Sequence, residues 1–79
     1  MQLIEIYKDE YKVLEELKNH FSEDIATDMM RAVERNGMSA WGKFMVRKVG
    51  KDYLLFMLTG EEMSEYAPSL NINKEENVK

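Results

Sequence analysis

Residues 43–59 read KFMVRKVGKDYLLFMLT, two apolar runs joined through Gly50-Lys51-Asp52. Gly supplies the positive φ that tight turns require, so the stretch predicts a β-hairpin. Its second run, Leu54-Leu55-Phe56-Met57-Leu58, is apolar at every position. Strand side chains alternate between faces, so both faces of this strand need cover. A two-residue Gly50-Lys51 turn puts Phe44, Val46, Tyr53, Leu55 and Met57 on one face, with Lys48 at its edge. The other face then holds Met45, Leu54, Phe56 and Leu58, with Lys43 and Arg47 among them. A three-residue turn reshuffles every pair, because a slip of one residue inverts the faces. Two helices can cover one face. The other needs residues 1–6 as a third strand, the C-terminal turn, or a second subunit.

Upstream, residues 1–6 alternate weakly like a strand, Gln2-Ile4-Ile6 against Leu3-Glu5-Tyr7, yet also fit helical spacing. A helix is expected over about residues 7–20, with Tyr7, Tyr11, Leu14, Leu17 and Phe21 as its buried stripe. Ser22 has the marks of an N-cap, and Glu23 and Asp24 suit the positive end of a helix dipole. That second helix runs to about Arg35, with Ile25, Met29, Ala32 and Val33 on one face, and Asn36-Gly37 stops it. Residues 38–42 connect it to the hairpin, and Trp41 reads as a core plug. Downstream, Thr59-Gly60-Glu61-Glu62 is a capping-box pattern. It predicts a short helix over about residues 60–66 that ends before Pro68 and folds Met63 and Tyr66 back onto the hairpin. The fold class is therefore α+β: an N-terminal helical hairpin on a β-hairpin, with a short C-terminal helix. Residues 1–68 form one small domain, and 69–79 read as a flexible polar tail.

A chain of 79 residues is one domain with a marginal core of its own. With no Cys, neither disulfides nor thiolate metal sites can reinforce it. No apolar run approaches the roughly 20 residues of a membrane span. The N-terminus lacks the pattern of a signal peptide. The expectation is a soluble, cytoplasmic protein. Its charge is segregated. Residues 1–30 carry three Lys against eight acids, residues 31–51 six Lys or Arg against Glu34 alone, and residues 52–79 two Lys against six acids. Such a pattern concerns fields and partners rather than fold. The basic middle either faces the acidic N-terminal helix or forms a partner-binding patch.

The sequence offers little for catalysis. It has one His, no G-x-S-x-G elbow and no glycine-rich phosphate loop. Glu16, His20 and Asp24 are spaced by four, but the Ser22 cap breaks the helix between them. No active site, metal or cofactor is expected. Binding is the better prospect. Trp41, Lys43, Arg47, Lys48 and Lys51 are the candidate partner-binding residues, and Leu55 and Phe56 the candidate oligomer interface. The expected function is a small non-enzymatic protein-binding module, regulatory or inhibitor-like, that docks to a macromolecular partner and self-associates. Its Met-rich composition suits adaptable interfaces, and small size favours oligomerisation. The alternative is a nucleic-acid-binding protein. Its warrant is basic side chains interleaved with Trp41, Phe44 and Tyr53 on the hairpin. A helical pair followed by a hairpin also resembles winged-helix domains, although those need a third helix and a basic recognition helix.

Overall fold

The computed structural model describes residues 1–66. Its elements run β1 (Gln2–Tyr7), α1 (Glu10–Lys18), α2 (Glu23–Asn36), β2 (Met38–Trp41), β3 (Phe44–Val49) and β4 (Asp52–Met57). A last helix, α3, covers residues 60–66. The strands form one antiparallel sheet in the order β1-β4-β3-β2. The α+β class expected from the sequence is the observed one. Residues 69–79, read as a flexible tail, and the domain boundary at 68 lie outside the described residues.

The central hairpin has the two-residue register. Val49 pairs with Asp52 around Gly50-Lys51, and Arg47 pairs with Leu54. Gly50 has φ 64° whereas Lys51 keeps a negative φ, which is the arrangement of a II′ turn with Gly first. Phe44, Val46, Tyr53 and Leu55 consequently lie on one face and are buried beneath the helices with Val13, Leu17, Met29 and Val33. Helix α1 packs over β1 and β4, and α2 over β2 and β3. Burying a Leu, Val or Met side chain contributes about 1.5–3 kcal/mol relative to exposure. This layer is the main source of stability.

Two expectations need correction. The first helix begins at Glu10 rather than residue 7, because the Asp9 carboxylate accepts from the Tyr11 N–H at 2.8 Å and caps it. Residues 2–7 are a strand. The buried stripe is then Val13 and Leu17, with Leu14 beside them, and Tyr11 points to solvent at 69% exposure. The second correction concerns residues 38–42. Instead of a connector, Met38–Trp41 is an edge strand, returned onto β3 through a two-residue Gly42-Lys43 turn. Ser39 and Ala40 are buried along it.

The helix boundaries at Ser22 and Gly37 are as expected. The Ser22 hydroxyl accepts from the Ile25 N–H at 3.3 Å, and Gly37 takes φ 86° to close α2. At α3 the capping box is reciprocal. Thr59 N–H donates to Glu62 at 2.9 Å, and Glu62 N–H donates to the Thr59 hydroxyl at 3.2 Å. The Met1 amine also reaches the Glu62 carboxylate at 2.8 Å, tying α3 to the start of β1.

Ser22→Ala should cost about 1 kcal/mol through the lost cap. Gly37→Val should cost more. Open space surrounds the added Cβ, so the penalty is the left-handed backbone itself. Thermal melts check both, and parent-like melting of the two variants contradicts these boundaries for α2.

Candidate functional site

The second face of the sheet is covered by halves. Residues directly opposite in a ladder share a face. Met38 and Arg47 therefore join Leu54 and Ile6 in one row, and Ala40 and Met45 join Phe56 and Leu3 in the next. Helix α3 lays Met63 and Tyr66 over Ala40, Met45 and Leu58, with Met38 and Phe56 at the margin. Beyond it no described element packs on the face. Leu3 is 44% exposed, Ile6 47% and Val49 53%. Two helices bury the first face, whereas α3 leaves Leu3, Ile6 and Val49 of the second about half exposed.

Strand β1 contributes to this face through a bulge. Leu3 pairs with Phe56 and Glu5 with Leu55, which leaves Ile4 as the extra residue. The inserted residue reverses the alternation, so Leu3 and Ile6 share a face although three positions separate them. The residues 1–6 that were candidates to cover the second face instead widen the sheet and enlarge the surface to be covered.

The expected partner-binding residues do not form one patch. Lys43 sits in the β2–β3 turn and Lys51 in the β3–β4 turn, at opposite ends of a six-residue strand, about 20 Å apart at ~3.3 Å per residue. Arg47 and Lys48 are successive strand residues and point to opposite faces. Trp41 packs against the core beneath the helices. Lys43 Nζ lies 5.8 Å from the centroid of Phe44, a ring that is itself buried. Of the two interface candidates, Leu55 is 1% exposed and held within the chain's own core, whereas Phe56 lies on the half-covered face. Leu55 is thus taken up within the chain, and Phe56 is partly buried at the margin of the α3 cluster.

Lys48 belongs to a local charge network. Its Nζ lies 3.1 Å from Glu34 Oε1, and the Tyr53 hydroxyl donates to Glu34 Oε2 at 2.7 Å. Tyr53 first, and Lys48 next, hold the Glu34 carboxyl below its ordinary value of 4.5. The bond to Glu34 is also the main cause that raises Lys48 above 10.5 and Tyr53 above 10.0. Here the basic segment meets an acid of the second helix rather than the first. A cleft of about 450 Å³ beside this network is lined by Lys8, Lys48 and Lys51 together with Asp9 and Glu10. Its cations are largely matched, since Lys8 Nζ pairs with Asp52 at 3.0 Å. His20 Nε2 lies 3.0 Å from Glu16, one helical turn away, and Asp24 stands on the next helix. Arg47, like Lys43 and Lys51, stands outside the ion pairs. Its Nη2 lies 3.9 Å from Met38 Sδ, and no carboxylate among the described residues pairs with it.

The exposed apolar residues of this face, Leu3, Ile6 and Val49, were absent from the residues singled out by sequence. Five apolar residues in succession gave the signal for β4. For β1 the bulge at Ile4 concealed it.

The Glu34 network predicts a pH dependence at both ends. A depressed carboxyl stabilises fully above its ordinary value and loses that contribution as pH falls through the folded pKa. The raised Lys48 and Tyr53 stabilise fully below their ordinary values and lose that contribution as pH rises through theirs. The melting-temperature gap between the parent and Glu34→Gln should be steady near neutrality and shrink below about pH 4.5. It should also shrink above about pH 10. A gap independent of pH contradicts the network.

Comparison with protein-family models, curated proteins and solved structures finds no match to this chain, so its function is argued from its own geometry.

Proposed function

We propose that the chain is a small non-enzymatic protein-binding module, regulatory or inhibitor-like, that docks through the open half of its sheet. One observation supports this reading above the others. Leu3, Ile6 and Val49 stand about half exposed on a single face, continuous with Leu54 and Phe56. Scattered apolar residues on a surface need no explanation, but a contiguous set marks a place where another protein binds. Burying it is worth about 25 cal/mol per Å² of apolar area. A folded partner that is apolar at its centre and polar at its rim suits such a face.

The cations give less support to a nucleic-acid partner. Counterion release requires several uncompensated Lys or Arg side chains that track one backbone. Here Lys48 and Lys8 are paired, and Lys43 and Lys51 stand at opposite ends of the sheet. Stacking also needs exposed rings, and Phe44 and Tyr53 are buried.

A photo-crosslinking amino acid placed at Ile6, and separately at Tyr11, tests the reading in a native lysate. Ile6 lies on the open face, whereas Tyr11 is an exposed aromatic on α1. Adducts to protein are expected from position 6 and not from position 11. Equal labelling from both positions, no adduct from position 6, or nuclease-sensitive adducts would overturn it.

A further inference from the structure

We infer that the occupant of the open half-face is a second copy of this chain, whose α3 lies beside the first copy's α3 between the two sheets. The inference rests on reading this face as a protein-binding surface and names the protein bound. Its first ground is shape. The sheet is four strands wide, roughly 19 Å at ~4.8 Å per strand. The first face shows that this width takes two helices side by side. The second face holds one, so it presents a step one helix high, with α3 on one side and the Ile6–Leu54 floor on the other. A two-fold axis turns such a step into its own complement, as an isologous interface requires. Each α3 fills the floor of the other copy, and one association event closes both vacant halves.

Charge gives the second ground. Arg47 is exposed on the open face, and no described carboxylate pairs with it. Helix α3 exposes Glu61 and Glu65, one turn apart and therefore on one side of the helix. Glu62, by contrast, is engaged with Met1 and Thr59. The side of α3 turned away from its own sheet, which a neighbour would lay over the open floor, thus carries acids, and the floor carries Arg47. The two-fold makes this contact twice.

The alternative of pairing through the free edge of β1 fits less well. The bulge at Ile4 interrupts the regular row of hydrogen-bonding groups that a new strand would use, and bulges commonly protect edges from such pairing.

Sedimentation equilibrium of the purified full chain from ~1 to ~100 µM, the range in which an interface of modest size associates, gives the primary test. The parent is expected as a dimer, twice 9.3 kDa, at the upper end. Arg47→Glu alone, and Glu61→Lys with Glu65→Lys alone, place like charges together at both contacts and should each weaken the dimer roughly tenfold or more. Mixing the two variants restores opposite charges at both contacts and should recover the parent affinity as a heterodimer. The chain carrying all three substitutions should do the same as a homodimer. Melting equal to the parent's at the lowest concentration, where every form is monomeric, shows that association, not folding, is affected. A parent that stays monomeric overturns the inference, as does a dimer that ignores both charge variants or a mixture that fails to recover. A monomeric parent that dimerises once truncated after residue 66 also overturns it and assigns the face to residues 67–79. The protein-binding reading itself is decided separately: protein adducts of any mass from position 6 support it, adducts of twice the chain mass support the second copy, and adducts only to a different protein keep the reading but overturn the inference.

Discussion

A β-hairpin that is apolar on both faces cannot be sealed by one layer, and this constraint shapes the whole chain. The turn at Gly50-Lys51 fixes the register. Register places Leu55 and Tyr53 on one face and Leu54 and Phe56 on the other. Every other element answers one of those rows. Helices α1 and α2 seal the first so well that Val13, Leu17 and Val46 are inaccessible to solvent. Helix α3 answers the second only in part. Its capping box and its tie to Met1 hold it in place, but its two turns reach no further than Met38, Ala40 and Phe56.

The outer strands make this imbalance larger. Strand β2 supplies Ala40 and Met38 under α3, whereas β1 adds Leu3 and Ile6, which stay about half exposed and outside the α3 cluster. A protein of this size gains little from leaving apolar side chains in water, since its net stability is a small difference between large terms. An incompletely covered face in so small a domain is therefore a feature that association can complete. The proposed docking surface accordingly lies on the face that α3 covers in part, not at the basic residues that are conspicuous in the sequence.

The sequence was most legible where one residue type has one physical job. Gly37 and Gly50 marked backbone with positive φ, Ser22 marked a cap, and Thr59 with Glu62 marked a reciprocal pair of bonds. Alternation showed that both hairpin faces are apolar but left the register open between a two- and a three-residue turn, which the pairing of Val49 with Asp52 decides. Legibility failed where local signals compete. Tyr7 and Tyr11 fit a helical stripe, but Asp9 between them caps the chain into a new direction and separates them into a strand and an exposed helical position. Met38–Trp41 was too short and too rich in small residues to announce a strand, and its pairing depends on β3. The bulge at Ile4 left no local mark. Charge was misleading for a related reason. Lys43, Arg47, Lys48 and Lys51 are close in sequence, but a strand and two turns disperse them over two faces and two ends. The candidate site was readable in its β4 half and hidden in its β1 half.

The central claim is that two rows of one hairpin meet different fates: one is sealed within the chain, and the other is sealed only by association. Methyl resonances followed with a soluble paramagnetic probe over a dilution series test it residue by residue. The account predicts that the Leu17 and Leu55 methyls are protected at every concentration. The Leu3 and Ile6 methyls should be exposed on dilution and become protected as concentration rises. Leu3 and Ile6 methyls that are protected at the lowest concentration, or that stay exposed at the highest, would contradict it.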